Sequence, residues 1–129
     1  MAKILVVDDS GMSRRTLRKI LEPAGHEVIE ADEGIAALES FFLNKPDVVF
    51  LDLTMTGMYG VDVLNKIREM DSSARVIVAS ADIQRSTRDL VEAGGASAFI
   101  NKPFSVDKVL NALNNVLQET VHATNRTPE

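Results

Sequence analysis

An α/β fold built on a parallel sheet, with helices on both of its faces, is what this sequence predicts. Short β-rich runs alternate with longer helical patterns along the chain, the signature of successive strand-helix-strand units. Two of the runs, Ile4-Leu5-Val6-Val7 and Val48-Val49-Phe50-Leu51, are apolar at consecutive positions. A strand with one wet face alternates, so these two need cover on both faces and read as central.

The elements follow in order. The first strand is Lys3 to Val7, and the helix after it carries Leu17, Ile20 and Leu21 on one face and is closed by Pro23 and Gly25. Glu27 to Ala31 is the second strand; Ile35, Leu38 and Phe42 mark the next helix, with Phe41 and Phe42 both read as core. Pro46 precedes a third strand at Val48 to Leu51, and Leu64 and Ile67 belong to the third helix. Arg75 to Ala79 is the fourth strand, and Gly94-Gly95 ends a fourth helix. Ala98 to Ile100 is the fifth strand, and the last helix has a stripe at Val106, Leu110, Leu113 and Leu117. Each stripe is expected to face the sheet, which leaves Val109 and Val116 as apolar contact for a partner or a second copy. Residues 1–119 form one domain, and 120–129 are a polar tail expected to fray, its first few residues free to extend the helix.

At 129 residues the chain suits one compact domain with no room for a separate effector. Hydrophobic residues at 45% and charged residues at 26% exclude disordered, fibrous and membrane classes. The apolar run at the start is too short for a signal peptide or a membrane span, and cysteine is absent, which together predict a cytoplasmic protein without disulfides or thiolate metal ligands. A net charge of −5 argues against nucleic-acid binding, because phosphate contacts need a basic patch. The basic stripe Arg14, Arg15, Arg18 and Lys19 reads as a solvated helix face, with docking of an acidic partner as the alternative.

In an open parallel sheet the ligand sits beyond the carboxyl ends of the strands, so those ends are where chemistry is expected. The first strand ends in Asp8-Asp9, the third in Asp52, the fourth in Ser80 and the fifth in Asn101-Lys102-Pro103. Any one acid there is ordinary as a solvated turn or a helix cap. Together, three crowded carboxylates repel unless a cation holds them, and hard oxygen ligands without His or Cys point to magnesium, with manganese able to substitute. Lys102 adds a cation on the far side of a phosphate. A nucleophile, a metal and a cation that share the charge of a transferred group are the parts of phosphoryl transfer.

Here the sequence resembles the receiver domain of response regulators, and closely the stand-alone chemotaxis type. The resemblance rests on Val6-Val7-Asp8-Asp9-Ser10, on Val49-Phe50-Leu51-Asp52-Leu53 with Gly57 and Gly60 following, on Val78-Ala79-Ser80-Ala81, and on Phe99-Ile100-Asn101-Lys102-Pro103-Phe104. It covers roughly Lys3 to Leu117. It implies a flavodoxin-like, doubly wound sheet of order 2-1-3-4-5 and a switch in a two-component phosphorelay, not a metabolic enzyme. It implies Asp52 as phosphoacceptor, Asp9 as direct metal ligand, Asp8 as ligand directly or through water, and the Thr54 backbone carbonyl completing the shell. Ser80 and the Ala81 amide would bind phosphoryl oxygens and Lys102 would pair with the group, reached through a cis Lys102-Pro103 bond. Ser80 and Phe99 would move together as the switch, Phe99 turning from exposed to buried. The implied partners are a sensor histidine kinase or phosphotransfer protein, and a target docking on the fourth helix, fifth strand and fifth helix. The protein would be a monomer or a homodimer formed on phosphorylation.

Thr56 stands where many receivers have proline, which makes the acceptor loop less rigid. Thr54 and Asp82 hold the two positions that tune hydrolysis, and Asp82 either orders the attacking water or is solvated. An aspartyl phosphatase would need a second Asp where Thr54 stands, and a flavodoxin-like cofactor site would place a phosphate against Asp8-Asp9. The remaining alternative is a pseudo-receiver that acts as an interaction module without phosphorylation. His26 and His122 read as surface histidines, and Met55 and Met58 as packing.

Overall fold

The computed structural model describes residues 2–53, 60–81, 89 and 91–126, with side chains to residue 118. Five strands, β1 (Lys3–Val7), β2 (Glu27–Ala31), β3 (Val48–Asp52), β4 (Val76–Ser80) and β5 (Ala98–Asn101), form one parallel sheet in the order β2-β1-β3-β4-β5. Three helices intervene, α1 (Gly11–Leu21), α2 (Gly34–Asn44) and α3 (Gly60–Met70), and a C-terminal helix runs from Val106 to Arg126. Residues 89 and 91–93 are also helical, before the turn at Gly94 and Gly95. No helix among the described residues is long and apolar enough to cross a membrane.

Alternation along the strands builds two cores. Leu5, Val7, Val49, Leu51, Val76 and Val78 face one side, where α2 and α3 bring Ala37, Phe41, Val63, Leu64 and Ile67. Ile4, Val6, Val48, Phe50, Ile77 and Ile100 face the other, packed by Leu17, Ile20 and Leu21 of α1 and by Val109, Leu113 and Val116 of the C-terminal helix. Phe50 is buried at the centre of β3, and truncating such a side chain costs about 3–5 kcal/mol.

Local chemistry sets the ends of the helices. The Ser10 hydroxyl accepts from the Ser13 amide and starts α1, and Gly25, at a φ of 95°, turns the chain toward β2. Glu33 caps α2 by accepting from the Ile35 and Ala36 amides, and Lys45 ends it in the left-handed region.

Three readings of the helices are corrected. The buried stripe of α2 is Gly34, Ala37 and Phe41, while Ile35 and Phe42 are 58% and 69% exposed. Both sets fit a 3.6 period, and the set with small residues lets the helix lie close on the sheet. In the C-terminal helix Val109 and Val116 are buried, together with Leu113, and Val106 is exposed, so they are core and not a docking patch. That helix also continues through most of the stretch read as a tail, because Pro128 is the first residue that opposes it.

Candidate functional site

Strand register aligns the functional residues. Val7 pairs with Ala31 and Leu51, Asp52 with Ala79, and Ser80 with Asn101, so the residues that follow or close these strands emerge at one edge. The strand order reverses between β1 and β3, the place where such sheets bind ligands, and there Asp8-Asp9 meets Asp52. The third, fourth and fifth strands each run one residue further than predicted. Asp52, Ser80 and Asn101 are polar, yet the backbone ladder carries on through them and fixes their position.

Asp8, Asp52 and Ser80 are the buried polar residues among those described, at 2%, 5% and 3% exposure, while Asp9 is exposed. Burying two carboxylates side by side requires positive charge. The Lys102 ammonium supplies it, 2.9 Å from Asp8 Oδ2 and 3.4 Å from Asp52 Oδ1. Burial pushes the Lys102 ammonium down, but the hydrogen bond to Asp8 and the charges of Asp52 and Asp8 outweigh this and hold it above its ordinary value. The Lys102-Pro103 peptide is cis, and Phe104 lies with its ring centroid 5.8 Å from the ammonium.

One oxygen each from Asp8, Asp9 and Asp52 fall within 4.8 Å of one another. The set is all oxygen, with an exposed member through which an ion keeps its waters, and it fits a hard divalent cation. Hydrogen bonds hold Asp8 in place on both sides: its Oδ1 accepts from the Ser10 amide at 2.9 Å, and its own amide donates to Ala31 O at 3.1 Å.

Ser80 and Phe99 lie on the same side of the sheet. Val78 pairs with Phe99 and Ser80 with Asn101, which makes Ser80 a diagonal neighbour of Phe99. Phe99 is half-buried against the α2/α3 side core. The Lys102 amide donates to Ser80 O at 2.9 Å and ties the two strand ends together. Ala81 is exposed just beyond β4. Thr54, Thr56, Gly57 and Asp82, as well as Met55 and Met58, lie outside the described residues, and so does the side chain of His122.

Three features escaped the sequence reading. Gly60 donates its amide to Leu53 O at 3.1 Å and packs on the Asp52 carbonyl so tightly that a Cβ would lie 2.6 Å from that oxygen. Arg14 and Arg18 do not form a free basic face, since both bind Glu30 of β2, at 2.8 and 2.7 Å. The signal was an acid on the edge strand opposite a basic helix, visible only once the two were known to pack. His26 is half-buried and accepts from the Ala2 amide at 3.0 Å, so it is not a plain surface histidine.

A sheet that reverses its order beside a buried aspartate, with a lysine from the far strand reaching it, is the frame of the receiver domains of two-component signalling. Comparison with known proteins makes this particular: the family model described as response regulator receiver domain matches residues 4–114, and the chain belongs to that family. It is 42% identical over 117 residues to chemotaxis protein CheY of Bacillus subtilis, across 89% of this chain and 97% of that one. Sporulation initiation phosphotransferase F of the same organism is 31% identical over 119 residues, across 89% and 93% of the two chains. The solved chemotaxis protein CheY4 of Vibrio cholerae matches with a TM-score of 0.86 at 29% identity, covering 90% of this chain and 98% of that one.

Proposed function

We propose that this chain is a phosphorylation-controlled cytoplasmic switch in which Asp52 accepts a phosphoryl group from the phosphohistidine of a sensor kinase or phosphotransfer protein. The observation that carries this reading is the burial of Asp52 within reach of both the acid pair and Lys102. In the forward step an Asp52 oxygen attacks phosphorus, the P–N bond breaks with its electron pair returning to the imidazole, and a mixed anhydride forms. In the reverse of the signal, water attacks phosphorus, the acyl P–O bond breaks, and the carboxylate and inorganic phosphate are released.

Asp8, Asp9, Asp52 and the Thr54 carbonyl would hold magnesium, or manganese in its place, which when bound neutralises charge on the transferred oxygens. Lys102 leaves its bond to Asp52 for a phosphoryl oxygen, and the Ser80 hydroxyl and Ala81 amide donate to others. Drawing Ser80 inward frees space beside Phe99, whose ring then settles deeper. The groove of about 520 Å³ between β5 and the C-terminal helix, bordered by Phe99, Asn101, Lys108 and Asn115, would change shape and with it the affinity for a protein partner. A flagellar motor component is the first reading of that partner, supported by the similarity to chemotaxis proteins, and onward phosphotransfer, supported by the similarity to a sporulation phosphotransferase, is the second.

Incubation with acetyl phosphate and magnesium tests the proposal. Intact mass should rise by one phosphoryl group, and a chelator should prevent the gain. A chain that gains no mass under any divalent cation, yet still captures a kinase or target, would be an interaction module without phosphorylation.

A further inference from the structure

We propose that Arg14 is a positioning residue for the acid pair: it grips the Asp8 backbone carbonyl and thereby sets the peptide from which Asp9 departs. The inference rests on the metal-binding reading above. Arg14 Nη1 donates to Asp8 O at 2.7 Å, and Arg14 Nε donates to Glu30 Oε1 at 2.8 Å. A peptide unit is planar, so holding the Asp8 carbonyl also holds the Asp9 amide and the direction in which the exposed Asp9 side chain leaves. The other bonds to Asp8, from Ser10, Lys102 and its own amide to Ala31, fix its carboxylate and its amide but not this carbonyl.

The guanidinium is planar and its donors are rigidly disposed, so two bonds from one fork define a single orientation that a flexible lysine does not reproduce. Its other anchor is itself held. The second oxygen of Glu30 accepts from Arg18 Nε at 2.7 Å, and Arg18 also reaches Glu22 and the Val28 carbonyl. Bonds from Arg18 and Arg14 keep Glu30 ionised, holding its carboxyl below the usual range. Arg14 remains only 20% exposed although it is charged and lies on an outer helix, as a side chain clamped at both ends should be.

Charge and position predict opposite outcomes. A guanidinium beside the acids repels an incoming divalent cation, so if charge were its whole contribution, removing Arg14 would tighten the site. If it positions Asp8 and Asp9, removal loosens the site, and groups that orient metal ligands typically change affinity by about 10–100-fold.

The test is magnesium titration of the full chain, followed by calorimetry and by the amide signals of residues 8–10. Arg14→Ala is compared with Arg18→Ala, which removes the same charge from the same helix but leaves the bond from Arg14 to Glu30 Oε1 in place and touches no atom of Asp8. Arg14→Ala should weaken magnesium about tenfold while Arg18→Ala binds as wild type does. Should Arg14→Ala not fold, Glu30→Gln should weaken binding in the same direction. Wild-type or tighter binding by a folded Arg14→Ala protein overturns the inference, as does equal weakening by Arg18→Ala. Wild type that binds no magnesium overturns the metal reading and this inference with it.

Discussion

The Lys102 ammonium lies 2.9 Å from Asp8 Oδ2, a carboxylate only 2% exposed, and joins the first strand end to the last across 94 residues of sequence. Removing the lysine strands a buried charge. Lys102→Met should destabilise the metal-free protein by about 1.5–3 kcal/mol, as expected for a hydrogen bond between charged groups. Magnesium should restore part of that stability and bind more tightly than to wild type, because a competing cation is gone. Urea unfolding with and without magnesium measures both effects, and unchanged stability of the variant would contradict the pairing.

The same pair has a pH signature. Lys102 is held above its ordinary value of 10.5 in the folded chain, so its contribution is complete below that value and is lost as pH rises through the higher, folded-state value. Wild type should therefore lose stability above about pH 10.5 by more than Lys102→Met does. Parallel unfolding curves for the two proteins across that range would rule the linkage out.

His26 titrates in the opposite sense. Burial, and then the positive amino terminus, hold the imidazole below 6.5, and its Nδ1 must stay unprotonated to accept from the Ala2 amide. The unfolded chain takes up the proton first, so stability is complete above about pH 6.5 and falls as the solution is made more acidic. His26→Asn, which keeps an acceptor without titrating, should flatten this part of the profile. A profile identical to wild type would exclude His26 as its cause.

Gly60 packs its Cα against the backbone of Leu53 and Asp52. A methyl group there would lie 2.5 Å from Leu53 Cα and 2.6 Å from the Asp52 carbonyl oxygen, contacts that only backbone movement relieves. Gly60→Ala should cost about 1–3 kcal/mol, as overpacking usually does, and should slow labelling at Asp52 as well. A variant with wild-type melting and labelling would show that the backbone gives way freely.

The switch has its own test. Ser80 and Phe99 are diagonal neighbours on one face of the sheet, so a pull on the Ser80 hydroxyl acts directly beside the ring. Beryllofluoride, in place of the phosphoryl group, should shift NMR signals from Ala98 to Leu113 as well as those beside Asp52. Ser80→Ala should bind beryllofluoride yet lose the distant shifts. Distant shifts that persist in Ser80→Ala would place the coupling elsewhere.

Much of this architecture was legible from periodicity alone. Consecutive apolar runs located β1 and β3 because strands covered on both faces need them. The polar ends of β3, β4 and β5 were read one residue short, since hydropathy stops at Asp52, Ser80 and Asn101 while the backbone ladder does not. On α2 and the C-terminal helix, hydropathy offered two stripes of the same period, and which of them lay inward was decided by tertiary packing around Ala37 and Val109. The acid pair, Asp52, Ser80 and Lys102 stood out because chemistry gathers at strand ends. The bonds of Arg14 to Asp8 and Glu30 did not, because they join a helix, a turn and an edge strand that only the fold brings together.

Asp52 alone is expected to accept the phosphoryl group. Labelling with acetyl phosphate and magnesium, trapping the acyl phosphate with borohydride, and sequencing the peptides by mass locates the acceptor. The reduction converts an aspartyl phosphate to homoserine, which should appear at position 52 and nowhere else, and Asp52→Asn should give none. Homoserine at another aspartate in the wild-type protein, or an Asp52→Asn protein that still gains the full phosphoryl mass, would place the acceptor elsewhere.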